Sequence, residues 1–348
     1  MRRLSFLIAG LLTLAACSGP APTPPQTSSQ APVQTPTQAP PGQWAEFLHL
    51  PGVVDVAGPR GDGSFVVSAA GRLYLFTNGR TLTPFARGAG GYRTTTGGEP
   101  YLATGQDVTL PSSHCSFGIN ETFAIEPSGS RPEVIGISPA GQARTFASLP
   151  MGSGLNGIAF DTVGRFGHRL LVTAGRGGKT TLFAIDCAGT ATAITTSGPP
   201  VEGGIAVAPP TFGGFGGDLI APNETSGRVF AFTPGGTAVT LAESHLPSGG
   251  DIGVESAGFV PPGFTATWSA YLADRYSGQA NKHPGDNELL KLAGGELAGA
   301  GVRPGDLLVA AEGGALTIDV RCGAACAVRY IADGPPIAHG EGHVAFIP

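Results

Sequence analysis

One pattern recurs six times between residues 72 and 328 and constrains the fold more than any other feature. Each copy has an apolar stretch of alternating hydrophobicity, a turn that contains glycine, and a second strand. Period-two alternation predicts β-strands, and glycine supplies the left-handed turn residue of a hairpin. The copies span residues 72–85, 133–146, 181–194, 228–241, 288–297 and 315–328.

The composition agrees with an all-β chain. Glycine and proline account for 56 and 31 of the 348 residues, and helices tolerate both poorly. This excludes a helical bundle, a coiled coil and a Rossmann-type chain of long helices. Glycine has no three-residue period, which excludes collagen. Because 41% of the residues are hydrophobic and occur in short, spaced runs, the sequence predicts a packed β-protein.

A second motif precedes most of the hairpins. Stretches such as those at 157–160, 204–207 and 257–260 combine glycine or alanine with bulkier apolar residues, and a short apolar strand follows each. Small residues suit a crowded central position, so each unit is expected to have four strands. Such a sheet cannot bury both faces alone and must pack on its neighbours around an axis. The sequence therefore predicts a six-bladed β-propeller of four-stranded antiparallel blades.

Some points of the architecture stay open at this level. A two-sheet sandwich is the alternative, but a sandwich does not require a regular four-strand repeat. The fifth unit is expected to place the strands near 257–262 and 270–273 side by side. The stretch 344–348 looks like a first strand but follows the sixth hairpin, so the sequence does not settle how the ring closes.

These motifs resemble NHL-repeat proteins and the gluconolactonase-like and strictosidine-synthase-like six-bladed propellers. The similarity covers roughly residues 50–348. That superfamily includes hydrolases, lyases and binding scaffolds. The resemblance therefore implies an architecture but no particular activity, because the activity depends on the residues of the site. In gluconolactonase-like members, a metal held by Glu, Asn and Asp at the axial mouth polarises a lactone or ester carbonyl.

The N-terminus has the features of an export signal. An apolar run, Leu4–Ala16, follows two arginines and is too short to span a bilayer as a stable anchor. It ends in LAAC at residues 14–17, which resembles the lipobox of bacterial lipoproteins. That resemblance implies a signal peptide over residues 1–16 and acylation of Cys17. An ordinary secretory signal with an incidental cysteine is the alternative.

A tether and a folded domain follow the predicted lipid site. Residues 17–42 contain no charge and are rich in Pro, Thr and Gln, so a disordered tether is expected, with the propeller over residues 43–348. We expect a monomer in the bacterial cell envelope, anchored to a membrane by lipid on the extracytoplasmic side. Ser18 carries no inner-membrane retention charge, which favours an outer or outward-facing surface.

The charge balance excludes one class of partner. Without Arg2 and Arg3, 18 of the 20 basic residues remain against 25 acidic ones. No run of basic residues marks a surface that could neutralise phosphates, so nucleic acid is not an expected partner.

Four cysteines besides Cys17 are expected to form two disulfides, because an exported protein with an even number of cysteines favours pairing. Cys322 and Cys326 flank a three-residue turn, which places them opposite each other across a hairpin. Cys115 and Cys187 remain, on loops expected at one face of neighbouring blades. Four free thiols are the alternative. A zinc site is not expected, since no second ligand pair has the required spacing.

Acidic and amide side chains are expected to converge at one mouth of the channel. Three glutamates each stand seven residues before a proline of a predicted innermost strand, and loops after second strands open on the same face. The candidate axial ligands are Glu202, Glu255, Glu341, Asn156, Asn223 and Asp274. Clustered carboxylates repel unless protons or a cation compensate, and oxygen ligands suit Ca²⁺. Alternatively, each glutamate caps backbone N–H groups of its strand.

The sequence assigns no catalytic residue. His343 could face the channel as a base, whereas His283 and His339 are expected in loops. The favoured function is binding of a small molecule, glycan or protein through the axial top face. The alternative is a Ca²⁺-dependent lactonase or esterase that uses the axial carboxylates. A quinone-dependent sugar dehydrogenase is a further alternative, but it requires a catalytic histidine and a basic cofactor site that the sequence does not show.

The lipid anchor can be tested directly. Because Cys17 offers the only thiol at the predicted cleavage point, Cys17→Ala should give an unprocessed or released protein. Membrane fractionation of cells that express the wild type and the variant measures this. Unchanged membrane retention of the variant would refute the lipobox interpretation.

Overall fold

The computed structural model describes residues 42–77, 79–94, 98–110, 115–126, 132–150 and 154–348. The predicted signal segment, Cys17 and all but the last residue of the predicted tether lie outside the described residues. The described ranges are mainly β-strand, which confirms the all-β prediction. None of the helices in these ranges is long and apolar enough to cross a membrane.

The chain forms short strands along almost its whole described length. The strands up to residue 160 are β1 (Gly42–Gln43), β2 (Ala45–His49), β3 (Val53–Ala57), β4 (Phe65–Ala69), β5 (Arg72–Phe76), β6 (Leu82–Phe85), β7 (Leu102–Thr104), β8 (Val108–Leu110), β9 (Cys115–Phe117), β10 (Thr122–Glu126), β11 (Glu133–Ile137), β12 (Ala143–Ser148) and β13 (Gly154–Phe160). The later elements are β14 (Leu170–Arg176), β15 (Lys179–Ile185), β16 (Ala191–Gly198), β17 (Ala206–Val207), a 3-10 turn (Gly213–Phe215), β18 (Leu219–Asn223), β19 (Arg228–Phe232), β20 (Ala238–Glu243), β21 (Val254–Phe259), β22 (Ser269–Asp274), β23 (Glu288–Ala293), α1 (Gly294–Gly299), β24 (Leu307–Ala311), β25 (Thr317–Cys322), β26 (Cys326–Asp333) and β27 (Gly340–Ile347).

Most of these strands form four-stranded antiparallel runs. Four separate sheets have the orders β3-β4-β5-β6, β7-β10-β11-β12, β13-β14-β15-β16 and β17-β18-β19-β20. A nine-stranded sheet contains two further runs, β21-β24-β25-β26 and β27-β22-β23-β2, and β1 adds to the outer edge of β26. The excursion in the second unit forms a separate hairpin, β8-β9.

The innermost strands surround a common axis. β3 contacts β7, β7 contacts β13, β13 contacts β17, β17 contacts β21, β21 contacts β27, and β27 contacts β3. Apolar side chains fill the spaces between neighbouring sheets, as in the cluster that joins β10 to β13 and β14. The chain therefore has a propeller-like arrangement of four-stranded blades.

Strands from the two ends of the described part of the chain meet in one four-stranded run. The C-terminal β27 pairs antiparallel with β22 as the inner strand, and the N-terminal β2 pairs with β23 as the outer strand. This arrangement answers the question of closure that the sequence left open. Joining the ends in one sheet leaves neither β22 nor β23 with an unpaired edge.

The fifth repeat was predicted incorrectly in two respects. First, β21 pairs with β24 and not with β22, because β27 occupies the inner edge of β22. Second, the stretch after β23 forms the helix α1 and not the second strand of a hairpin. The outer edge of β23 is already paired with β2, and the Gly294 N–H donates to the Trp268 carbonyl at 2.8 Å, which turns the chain away from the sheet.

Both predicted disulfides are confirmed. Cys322 and Cys326 are directly paired across the β25–β26 turn, with their Cα atoms 4.0 Å apart. Cys115 in β9 is bonded to Cys187 in the turn after β15, with a Cα–Cα distance of 5.6 Å. The second bond links the β8-β9 hairpin to the turn after β15 in the neighbouring blade. Its two cysteines are 72 residues apart in sequence.

A buried ion pair ties several inner strands together at the axis. The carboxylate of Asp55 in β3 is fully buried and accepts the N–H groups of Leu102 and His343, each at 2.7 Å. The His343 Nδ1 lies 3.0 Å from this carboxylate, and Nε2 lies 3.0 Å from the Ile158 carbonyl. A carbonyl oxygen only accepts, so Nε2 carries a proton. Burial disfavours the imidazolium, but Asp55 outweighs it and raises the pKa of His343.

This pair predicts a stability effect. Asp55→Asn should lower the free energy of unfolding by about 3–5 kcal/mol, because it leaves the His343 charge buried without a counter-charge. The double variant Asp55→Asn/His343→Leu should lose less than the sum of the two single variants. Denaturant unfolding measures both. Asp107→Asn is the control, since Asp107 is exposed. A loss within about 1 kcal/mol for Asp55→Asn would contradict the role of the pair.

Candidate axial site

Inner strands bring three of the predicted glutamates to one end of the axis. Glu255 lies in β21, Glu341 lies in β27, and Glu202 precedes β17. All three line one cavity of about 500 Å³. Their common position follows from the repeat, because each stands where its chain segment begins the innermost strand.

Backbone bulges re-aim two polar side chains near this end of the axis. The pairing of β21 with β24 skips Glu255, and the pairing of β13 with β14 skips Asn156. A bulge inserts an extra residue and re-aims its side chain out of the regular alternation. Asn156 thus has the bulge position in β13 that Glu255 has in β21, while the preceding Leu155 is buried in the hydrophobic core.

The axial cavity is strongly acidic. Seven of its twelve described lining residues carry carboxylates, whereas Arg275 and His339 are the only cationic or basic groups among those twelve. The carboxylates belong to Glu99, Glu202, Glu224, Asp251, Glu255, Glu312 and Glu341. Such a set repels itself unless protons or a cation compensate.

One side of the cavity holds a network around Tyr101. Arg275 contacts Glu99 and donates to Glu341 Oε2 at 3.1 Å. The Tyr101 hydroxyl contacts Glu341 Oε1 and lies 2.9 Å from Glu255 Oε1. A phenol has one proton, so two full hydrogen bonds require another proton on one carboxyl group. Burial, followed by the charge of Glu341, raises the pKa of Glu255 well above its usual range, which is consistent with a proton held there.

A histidine–glutamate pair adjoins this network, since His339 Nε2 lies 4.0 Å from Glu341 Oε2. His339 Nε2 lies 2.6 Å from Glu312 Oε1, and Nδ1 lies 2.9 Å from the His283 carbonyl. The carbonyl fixes a proton on Nδ1, so a second proton is shared between Nε2 and Glu312. Burial raises the pKa of Glu312 to about 7, although the hydrogen bond from His339 opposes this shift. The other carboxylate oxygen of Glu312 is buried and has no hydrogen-bond partner among the described residues.

Among the described residues, two groups of side chains could hold a metal ion. Glu312, His339 and Glu341 form one group, and Glu224, Glu255 and Glu312 form the other. Within each group the ligand atoms lie within 4.8 Å of one another. Glu312 belongs to both groups. Its second carboxylate oxygen is buried without a hydrogen-bond partner among the described residues, and a bound cation would compensate for this.

The remaining predicted ligands lie elsewhere. Asn156 and Asn223 line an adjoining cavity of about 260 Å³, which shares Glu202 and Glu224 with the axial cavity. The side chain of Asn223 is held within the protein, because its amide donates to the Pro200 carbonyl at 2.7 Å and its oxygen accepts the N–H of Ser226 in its own turn at 2.7 Å. The Asn156 amide donates to the Val201 carbonyl at 2.8 Å, while its oxygen has no partner in the described ranges.

Asp274 has a supporting position. It is fully buried at the end of β22 and does not line the cavity. Its Oδ1 accepts the backbone N–H of His339 at 2.9 Å, which helps to place the histidine ring at the cavity wall. Burial raises the pKa of Asp274 to about 6.

Sequence reasoning did not select the His339–Glu312 pair. Glu312 directly follows β24, and Asn223 and Asp274 end the equivalent strands β18 and β22. This shared position in the repeat could have predicted that Glu312 lies near the axial site. His339 gave none, because the segment before β27 has no motif that distinguishes it from a loop. Its position depends on the Gly313–His339 bridge, which forms between segments 26 residues apart in the chain.

The raised carboxyl pKa values predict how stability depends on pH when divalent cations are absent. Burial, followed by neighbouring carboxylates, raises the pKa of Glu202 from 4.5 to about 8. The folded state therefore binds protons that the unfolded state releases, so the free energy of unfolding should fall as pH rises from about 5 to about 8. Denaturant unfolding in chelator measures this. Glu202→Gln should make the free energy of unfolding depend less on pH. A free energy of unfolding that rises between about pH 5 and pH 8 would contradict the raised pKa of these carboxyl groups.

The comparisons with known proteins concern architecture. No family model and no curated protein matches this sequence. Among solved structures, the chain is similar to virginiamycin B lyase from Staphylococcus aureus, with 11% identity and a TM-score of 0.45 over 83% of this chain and 89% of that one. It is also similar to a gluconolactonase from Xanthomonas campestris, with 17% identity and a TM-score of 0.40 over 67% and 69% of the two chains. The propeller-like arrangement of four-stranded blades is consistent with the gluconolactonase and NHL-repeat superfamily that the sequence resembles.

Proposed function

We propose that this protein is a lipid-anchored, extracytoplasmic β-propeller that binds Ca²⁺ and a small polar ligand in its axial cavity. The observation that carries the proposal is the charge of the cavity, where seven carboxylates face one guanidinium and one imidazole. Buried carboxylates this close together are stable only with bound protons or a cation. A cation would replace the protons that these carboxylates otherwise need, including the proton on Glu255, while Arg275 stays bonded to Glu341.

We propose six blades for this ring. The two four-stranded runs of the nine-stranded sheet are joined through a single parallel pair, Ala257 with His343. Counted separately, they complete a ring with the four isolated sheets. This count agrees with the six hairpin-like repeats of the sequence, although the fifth repeat forms its outer pair with the N-terminal strand.

The cation is expected to lie beside Glu312. The group formed by Glu224, Glu255 and Glu312 offers oxygen atoms alone, which are the ligands that Ca²⁺ prefers. The group that includes His339 offers a nitrogen, which would favour Zn²⁺ or Mn²⁺. We favour the oxygen set because the free Glu312 oxygen can serve it while the other oxygen stays on His339.

The remaining space suits a small, polar ligand. A volume of about 500 Å³ is within the usual range for small-molecule sites. Ser277 and Asn281 add hydrogen-bonding groups to the wall, and apolar side chains are scarce there. A sugar or another hydroxyl-rich molecule, presented from outside the cytoplasm, fits this lining better than an apolar compound.

A metal-dependent lactonase or esterase is the second candidate function. The His339–Glu312 pair favours it, because a histidine with Nδ1 fixed on a carbonyl and Nε2 directed to a carboxyl group can transfer a proton. A bound cation would supply polarisation of a substrate carbonyl. The residues of this chain would then orient the substrate and move the proton at Nε2.

Cation titration tests the proposal. Ca²⁺ added to chelator-treated protein should stabilise it by about 2.7 kcal/mol at a hundredfold excess over the dissociation constant. Glu255→Gln and Glu312→Gln should each weaken binding by about tenfold or more, since each removes a charged ligand. Calorimetry and thermal unfolding measure the two effects. Glu46→Gln is the matched control, because Glu46 is exposed in the outer strand β2.

Several outcomes would decide against parts of this account. Absence of a melting shift with Ca²⁺, Mn²⁺ and Zn²⁺ would remove the cation site. A larger increase in melting temperature with Zn²⁺ than with Ca²⁺ would place the cation in the group that contains His339. A screen of lactones and esters that shows turnover abolished by chelation would establish the second candidate in place of binding alone.

A further inference from the structure

A second charged cavity lies on the blade formed by β3 to β6. Its volume is about 520 Å³, and its lining includes Arg72, Tyr74, Arg87 and Arg93. We call it the arginine cavity. It shares no lining residue with the axial cavity, and no carboxylate lines it.

The fold brings together arginines that are distant in sequence. Arg72 and Tyr74 are two residues apart in β5, so their side chains are on the same face of the strand. After β6 the chain reverses, with Gly91 donating to the Gly88 carbonyl at 3.1 Å. The N–H of Thr94 then donates to the Gly71 carbonyl at 3.2 Å, which brings the segment with Arg93 back to the start of β5.

Glycine is required where these segments approach. A Cβ at Gly91 would lie 2.1 Å from the Ala86 carbonyl oxygen. A Cβ at Gly71 would lie 2.9 Å from the Thr94 carbonyl oxygen, and Gly71 also has a φ of +66°. The position of the returning segment is therefore set by the backbone and does not depend on the arginine side chains.

One of the three guanidinium groups is fixed in place. Arg87 NH2 donates to the Tyr74 hydroxyl at 3.0 Å, and its Cζ lies 5.1 Å from the centroid of the Tyr74 ring. Stacking and hydrogen bonding together restrict this long side chain. The remaining N–H groups of Arg87 are left for another acceptor, because a guanidinium has five.

The cavity has no internal counter-charge. No carboxylate oxygen lies within 4.0 Å of a nitrogen of Arg72, Arg87 or Arg93 in the described ranges. All 25 Asp and Glu residues of the chain lie in those ranges. By contrast, Arg321 and Arg329 are each paired with an aspartate. Three unpaired guanidinium groups in one concave site favour an anion from outside the chain.

We propose that the arginine cavity binds the terminal phosphate of a phosphate monoester. A monoester carries a charge close to −2 and three terminal oxygens, which three guanidinium forks can share. The cavity is far larger than a phosphate group, so the organic part of the molecule also has room. This site is separate from the proposed axial function and does not depend on it.

Calorimetry of the full-length protein in non-ionic detergent tests this site. The probes are glucose 6-phosphate as a monoester, inorganic phosphate, and dihexanoyl phosphatidylglycerol as a soluble lipid diester. Glucose 6-phosphate should bind saturably, and Arg72→Gln and Arg93→Gln should each weaken it by about tenfold. Arg144→Gln is the matched control, since Arg144 is exposed and stacked on Phe146 with its Cζ 5.2 Å from the ring centroid, outside the cavity.

The outcomes separate the sources of phosphate. Tighter binding of the lipid diester than of the monoester would overturn the proposal in favour of a membrane headgroup. Binding weakened equally by Arg144→Gln would show non-specific attraction, and no saturable heat from any probe up to about 10 mM would exclude the site. Unchanged Ca²⁺ titration and melting temperature in the arginine variants would show that the axial site and the fold are intact.

Discussion

The buried ion pair of Asp55 and His343 is the constraint on which the centre of this molecule depends. Apolar packing between blades is not directional, so it does little to hold the inner strand of one blade in register with the next. In this chain the carboxylate and the imidazole bind the backbones of neighbouring inner strands directly. His343 lies two residues after Glu341 in β27. The interaction with Asp55 that fixes this strand in the ring therefore also fixes one wall of the axial cavity.

The axial cavity combines two kinds of carboxylate. Glu341 is balanced by Arg275 and by the Tyr101 hydroxyl, so its charge is satisfied within the protein. Glu312 is buried and Glu202 is partly buried, and burial raises the pKa of both carboxyl groups, so at neutral pH each can hold a proton or bind an external cation. A cation that binds at such a site displaces protons from these carboxyl groups. Cation binding and pH are therefore linked in the proposed function.

Much of the fold could be predicted from local pattern. Alternating strands, glycine turns and the spacing of Cys322 and Cys326 are short-range features, and the structure bears them out. The path of the fifth repeat could not be predicted, because the partners of β22 and β23 come from opposite ends of the chain. Glu202, Glu255 and Glu341 were found through a shared register, whereas His339 and the cluster of Arg72, Arg87 and Arg93 depend on long-range contacts that leave no trace in sequence spacing.

The most direct test of the central claim is a crystal structure of the protein grown with Ca²⁺, with Mn²⁺ replacing it for anomalous scattering. The account predicts one cation at the axis, within about 2.3–2.6 Å of oxygens from Glu255 and Glu312. It also predicts that the His339 ring stays hydrogen-bonded to the His283 carbonyl. An axial cavity that holds only water under these conditions, with its carboxylates bonded to one another through protons, would contradict the account.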